Sequence, residues 1–171
     1  AREQFDSFIR LLESLAAADE HIDLFEYSLS KLVVRHLESH FTKHHAKTAQ
    51  IYSLKRLGHE CGVLISSLAY AAGSDEDSVR AAYQAGADQL SVEIQIGQLP
   101  ASDCGLEELD KALTSLSCVS PKLKRQLVQS AAATVSADGY LQIQEAELLR
   151  AISDSLGCPM PPLAVSLEEA A

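Results

Sequence analysis

Residues 137–152 read ADGYLQIQEAELLRAI, and residues 18–29 read ADEHIDLFEYSL. The two segments align without a gap at a constant offset of 119 residues (137 minus 18), and Ala, Asp, Glu and Leu coincide along them. An acid, a bend, an apolar residue and a second acid recur in the same order, where one helix is expected to end and another to begin. We interpret the pair as two copies of one helix-bend-helix unit.

The composition of the chain favours helices. It has 171 residues, of which 47% are hydrophobic and only 5% aromatic, with eight Gly and five Pro. Leu, Ala, Ser and Val make up most of the rest, and the length is enough for one sizeable core. We therefore predict an all-α fold: a single compact bundle of about seven helices with pseudo-symmetric N- and C-terminal helix pairs, spanning residues 1–163, followed by a flexible C-terminal tail at 164–171.

Seven helical segments are predicted from apolar residues spaced three and four positions apart. Their approximate spans are 5–18, 23–37, 51–72, 79–94, 106–116, 121–135 and 142–156. Gly73 and Gly157 are expected to end helices. The run Ser74, Asp75, Glu76 and Asp77 is an acidic start signal, and Ser120-Pro121 is expected to begin another helix. Gly86 interrupts an apolar stripe, so we expect it to allow a close helix crossing. Gly139 is expected to adopt positive φ at the bend.

Charge and cysteine content limit the classes of partner and compartment. The net charge of −10 repels nucleic-acid backbones, and no basic run offsets it, so no nucleic-acid partner is expected. No segment has the roughly 20 uninterrupted apolar residues that cross a bilayer, so direct membrane insertion is not expected. The four cysteines form no C-x-x-C pair, which favours a reducing compartment. They are Cys61, Cys104, Cys118 and Cys158.

The acidic bend partly matches a calcium-binding loop. Asp138, Gly139, Leu141 and Glu145 have the spacing of positions 5, 6, 8 and 12 of an EF-hand loop. Positions 1 and 3 hold residues without carboxylates, however, so we interpret the acids mainly as helix caps. The alternative is a divalent-cation site. It is formed by Asp138, Glu145 and Glu147, with Asp19 and Glu26 of the first copy.

Histidines provide two weaker metal-site patterns. His36, His40 and His44 are four residues apart and would form one stripe on an unbroken helix, but no convincing fourth zinc ligand accompanies them. His59-Glu60 begins like the H-E-x-x-H motif of zinc proteases, but Val63 stands where the second histidine is required. The sequence therefore predicts no catalytic zinc site of its own.

Other motifs are interpreted as structural. Gly58 and Gly62 form G-x-x-x-G among charged neighbours, which favours close packing between soluble helices over a membrane helix pair. The sequence contains no phosphate-binding loop, nucleophile elbow or Cys-His nucleophile pattern. We therefore predict no catalytic residues in this chain.

The segment from Ala137-Asp138-Gly139 to Leu163, with the upstream segment at residues 22–29, resembles the C-terminal cytoplasmic region of bacterial membrane-anchored zinc metallopeptidases related to the HtpX heat-shock proteases. The D-G-x-I…E pattern also resembles tellurite-resistance TerB-like domains, which are compact helical bundles. Together the two matching segments cover about a fifth of the chain. The chain departs from that pattern at Glu20, which stands where the second copy has Gly139.

The resemblance implies a non-catalytic interaction or regulatory domain, cytoplasmic and tethered to the inner membrane through another part of a longer parent. The start of the chain on Ala-Arg leads to the same expectation. Zinc and peptidase activity would belong to that other part, and the partner would be the parent's peptidase domain or another protein. The alternative function is divalent-cation binding of the tellurite-resistance type. In that case the acids that match the TerB-like pattern would be Asp19, Glu26, Asp138 and Glu145.

Overall fold

The computed structural model describes Ser7 and residues 51–90, 94 and 96–160. Between residues 51 and 160 it contains five α-helices and one short 3-10 turn, Ala101–Asp103. The helices are α1 (Gly58–Ala72), α2 (Glu76–Ala87), α3 (Leu106–Leu116), α4 (Pro121–Val135) and α5 (Ile143–Ser155). The predicted helical class is confirmed for this part of the chain. The two helices predicted before residue 50, the first copy of the repeat, the pseudo-symmetry and the tail at 164–171 lie outside the described residues.

Helix α1 is the central element. Every residue from Cys61 to Ala69 is buried, so this helix has no solvent-facing stripe over that span. A helix that is apolar all round must be surrounded by other elements. Helices α2, α3 and α4 all pack against α1, and α5 packs against α3 and α4. The core side chains with the least exposure include Leu64, Ile65 and Leu68 of α1.

Helices α2 and α4 cross closely at Gly86, as the sequence predicts. A Cβ atom at this position would overlap Thr134 Oγ1 and would lie 3.1 Å from both Ile65 Cγ2 and the Ser130 carbonyl oxygen. Ser130 Oγ donates a 2.7 Å hydrogen bond to the Gly86 carbonyl oxygen, and both Ser130 and Thr134 are fully buried. The missing side chain of Gly86 therefore allows two helix backbones to approach closely over α1.

Several helix ends follow the sequence signals. Asp75 caps α2, because its Oδ1 accepts hydrogen bonds from the backbone N–H groups of Asp77 and Ser78 at 3.0 and 2.9 Å. Pro121 is the first residue of α4, and α3 has the predicted bounds. At the end of α5, Gly157 has φ +75° and donates to the Asp154 carbonyl, while Cys158 donates to Ser153. This is a Schellman motif, in which Gly157 directly follows the C-cap residue Leu156.

Two predicted boundaries are wrong. Residues 51–57 are not helical: Ile51 donates to the Cys118 carbonyl at 3.0 Å and accepts from Ser120 N–H at 2.9 Å, which forms an isolated parallel bridge with Val119. Helix α2 ends at Ala87 rather than Ile94, because Leu90 N–H bonds back only three residues, to Ala87. The helical spacing of apolar residues extends beyond the start of α1 and beyond the end of α2. Extended and turn segments that pack against the core also need apolar residues, so this spacing does not mark the helix ends.

No helix of the described part is long and apolar enough to cross a membrane.

Replacement of Gly86 by Ala tests the α2–α4 crossing. The added methyl group meets Thr134, Ile65 and the α4 backbone, so we expect unfolding free energy to fall by about 1–3 kcal/mol. Urea unfolding followed by circular dichroism measures the change. Gly97→Ala is the control, because nothing lies within 4 Å of a Cβ there. Equal stability of the two variants would contradict the close crossing.

Candidate functional site

The bend between α4 and α5 has the backbone that the sequence predicts. Gly139 has φ +85°, which confirms its expected positive φ, and its N–H donates to the Ser136 carbonyl at 3.0 Å. A Cβ atom added to Gly139 would have no other atom within 4 Å, so the restriction on this residue comes from the backbone alone. Helix α5 begins four residues after Gly139, at Ile143.

The three predicted binding acids of this second copy each have a local structural role. Asp138 Oδ1 accepts from the Tyr140 N–H at 2.9 Å, and this hydrogen bond closes the turn. Glu145 Oε2 accepts from the Gln142 N–H at 2.8 Å at the start of α5. Glu147 pairs with Arg150 at 3.0 Å one helical turn away. These contacts are the capping and pairing roles expected of acids at a helix start.

Thr134 and Ser136 occupy positions 1 and 3 of the EF-hand spacing, and their hydroxyl groups are engaged in other hydrogen bonds. Thr134 is fully buried in the α2–α4 crossing and donates to Ser130, and Ser136 Oγ donates to Ala132. Within the described residues, no three His, Cys, Asp or Glu side chains form a group that could hold a metal ion. Asp19 and Glu26, the predicted partners from the first copy, and the His36, His40 and His44 stripe lie outside the described residues.

A cleft of about 490 Å³ lies beside the bend. Its walls are the C-terminal end of α1, the segment around the 3-10 turn, the end of α4 and the start of α5. Small residues widen it on the α1 side, and polar side chains line much of the rest. The polar lining residues are Ser67, Cys104, Gln142, Gln144 and Glu145. Glu145 is thus both the capping residue of α5 and part of the cleft wall.

Hydrogen bonds from α1 fix one wall of this cleft. Tyr70 OH donates to the Leu99 carbonyl at 3.0 Å, and the Leu99 N–H donates to Ser66 Oγ at the same distance. Gly62 lies under the same segment, where an added Cβ would be 3.2 Å from the Gly97 carbonyl oxygen. The close approach at Gly62 is therefore to this connecting segment and not to a second helix, which corrects the prediction for the Gly58/Gly62 motif.

Cys104 and Glu145 line the same cleft, but the cleft lacks what a thiol nucleophile requires. Burial raises the pKa of the Cys104 thiol, and this effect exceeds the opposing hydrogen bonds from Ser67 and Ser66. A protonated thiol is a poor nucleophile, and no histidine of the described part lines the cleft to activate it. The arrangement is one that can bind a molecule but has no activated nucleophile among its described residues.

His59 and Glu60 lie in the first turn of α1, away from this cleft. His59 is exposed and Glu60 half-buried, whereas Val63, which occupies the second-ligand position of H-E-x-x-H, is buried in the core. This is the helix-surface placement predicted for His59-Glu60.

Sequence reasoning missed the exposed apolar residues of the bend. The Tyr140 side chain is 72% exposed and the Ile143 side chain is 55% exposed. Large apolar side chains are rarely exposed in the described part of the chain, and these two are three residues apart. Leu141 between them turns partly into the core instead. The backbone conformation of Gly139 determines which side chains of the bend face solvent. The spacing of apolar residues along the sequence does not report this conformation.

Comparison of the chain with protein-family models, with curated proteins and with solved structures found no match. The resemblance to TerB-like domains and to metallopeptidase C-terminal regions stays a prediction.

Replacement of Gly139 tests whether the bend depends on a left-handed residue. Gly139→Val should lower the unfolding free energy by about 1–2 kcal/mol, because a β-branched residue is strained at positive φ. Gly139→Asn should cost less, since Asn tolerates this conformation. Thermal unfolding by circular dichroism measures both. Equal midpoints for the wild type and the Val variant would show that the bend does not need glycine.

Proposed function

We propose that this chain is a non-catalytic interaction or regulatory domain of a bacterial membrane-bound zinc metallopeptidase, located on the cytoplasmic side and tethered through another part of the parent. The observation that carries the proposal is the exposed pair Tyr140 and Ile143 at the start of α5. A rigid helical bundle that presents apolar side chains on a well-defined bend is typical of a protein-binding surface.

The position of the pair supports a regulated contact. Tyr140 and Ile143 flank Gln142, which lines the neighbouring cleft, so a partner that covers the pair would also cover the cleft mouth. The bend is held by the Asp138–Tyr140 and Glu145–Gln142 hydrogen bonds, so its apolar side chains are presented without a large ordering cost. The proposed partner is the peptidase domain of the same parent.

Divalent-cation binding is the alternative. It uses Asp138, Glu145 and Glu147, and each of these carboxylates already has a hydrogen bond or ion pair within the bend or α5. A cation would have to compete with those contacts or bring in residues from the first copy. The interaction surface needs no such rearrangement, and for that reason we place it first.

The experiment begins with the natural protein. An antibody against this chain should detect a polypeptide larger than 18.4 kDa in the membrane fraction. In that protein, Tyr140→Ser combined with Ile143→Ser should change peptidase activity by about 5-fold or more, the usual size of a coupling between domains. The change should be the same with and without added magnesium or calcium.

The matched control replaces two exposed side chains on α2, Glu76→Ser with Arg80→Ser, which removes a solvent-exposed ion pair. This pair should leave activity unchanged. A native protein of 18.4 kDa in the soluble fraction, or equal activities for the bend variant and the control, would refute the proposal.

A further inference from the structure

Four helix ends meet at the cleft beside the bend. Ala72 and Val135, the last residues of α1 and α4, both line it. Leu106, the first residue of α3, and Glu145 in the first turn of α5 line it as well. Its volume of about 490 Å³ lies within the usual range of ligand pockets, about 300–1,000 Å³. Because a helix has a partial positive charge at its N-terminus and a partial negative charge at its C-terminus, these ends determine much of the electrostatic potential in the cleft.

The two N-termini at the cleft carry carboxylates of their own. The first turn of α3 contains Glu107 and Glu108, and that of α5 contains Glu145. Lys111 pairs with both α3 carboxylates at 2.8 Å, so this helix start keeps one negative charge in excess. Acids in the first turn offset the partial positive charge of a helix. Neither N-terminus therefore offers the unopposed positive potential that an anion would need.

The two C-termini at the cleft have no such compensation. No basic residue occurs in the last turn of α1 or of α4. Lys, Arg and His side chains in that position donate to the last carbonyl groups of a helix and are stabilised by its partial negative charge. Since neither helix supplies such a cation, the charges at all four helix ends favour a cationic ligand over an anionic one.

Glu145 is the only charged side chain among the described residues that line the cleft. Its Oε2 accepts from the Gln142 N–H at 2.8 Å, whereas its Oε1 has no hydrogen bond or ion pair with any described residue. The side chain is half-buried, so solvent screens this carboxylate less than one on an open surface. The Gln144 side chain also lines the cleft and makes no hydrogen bond within the described part. Two side chains of α5 thus have acceptor oxygens available to a donor in the cleft.

We propose that the cleft binds an arginine side chain of the partner segment that covers Tyr140 and Ile143. A guanidinium group has five N–H donors in one plane, keeps its charge at physiological pH and is weakly hydrated, so it suits a partly buried site with several acceptors. Its aliphatic stem packs against Ala71 and Ala72, and its charge meets Glu145. The inference rests on the function proposed for the bend, since it names the side chain that the same partner inserts beside it.

Single amino-acid probes test the chemistry of the cleft without a partner. N-acetyl-arginine methylamide, titrated at millimolar concentration into the isotope-labelled chain, should shift the backbone NMR signals of Ala72, Gly105 and Glu145. The norleucine analogue has a similar aliphatic stem but no charge, and should bind at least about 5-fold more weakly. The glutamate analogue should not shift these signals, because Glu145 repels its carboxylate. The lysine analogue has fewer donors and a more strongly hydrated charge, and should bind less tightly than the arginine probe.

A matched pair of variants separates the cleft from the negative charge of the whole chain. Glu145→Gln removes the charge but keeps an oxygen that can accept from the Gln142 N–H, so the start of α5 is preserved. This variant should bind the arginine probe at least about 5-fold more weakly than the wild type. Glu147→Gln makes the same charge change on the same helix, on a side chain that pairs with Arg150 and does not line the cleft. It should change affinity for the probe by less than about 2-fold.

Three results would overturn the inference. Equal affinities for the arginine and norleucine probes would show that the cleft does not select a cation, and equal losses of affinity in the Glu145→Gln and Glu147→Gln variants would show that only net charge matters. Tighter binding of the lysine probe would assign the cleft to a different side chain. The comparison of probes uses the wild type alone, so it tests the inference even if Glu145→Gln does not fold.

The same measurements separate this inference from the function proposed for the bend. If the Tyr140→Ser/Ile143→Ser variant changes peptidase activity but the arginine probe does not bind, the proposed function stands and the assignment of the cleft is wrong. If the probe binds as described but that variant has the same activity as its control, the proposed function is wrong and the cleft remains an arginine site.

Discussion

The burial of α1 on all sides is the constraint on which the rest of the structure depends. Nine consecutive buried residues leave no face of this helix for water, so neighbouring helices must enclose it. Helices α2 and α4 do so only because Gly86 lets them approach closely, with the Ser130–Gly86 hydrogen bond satisfying a buried hydroxyl at the crossing.

The cleft and the bend lie where this enclosure ends. Around the C-terminal end of α1, the connecting segment held by Tyr70 and Ser66 and the bend at Gly139 form the cleft and present Tyr140 and Ile143. Before its N-terminal end, the Ile51–Val119 bridge holds the segment that precedes α1 against the start of α4. The middle of the helix is closed by packing, so only the regions around its two ends border surfaces that a partner could reach.

The sequence predicts the helices of this region well where local chemistry decides. Asp75, Pro121, Gly139 and Gly157 act through their own backbone or side chain, and each has the predicted role or lies one residue from it. The bridge at Ile51 depends on residues nearly 70 positions apart, which no periodicity reports. The exposure of Tyr140 and the placement of Gly62 under Gly97 likewise depend on tertiary contacts. The role of an acidic residue is ambiguous in the sequence for a different reason. A helix cap and a cation ligand both use a carboxylate group.

Native-state hydrogen exchange tests the central position of α1 most directly. If α1 is enclosed as described, the amides of residues 61–69 exchange only through global unfolding, and their free energies of exchange equal the unfolding free energy measured with denaturant. The amides of α5, which has fewer neighbours, should exchange through smaller openings. Exchange of the α1 amides at a lower free energy than global unfolding, or faster than those of α5, would contradict the account.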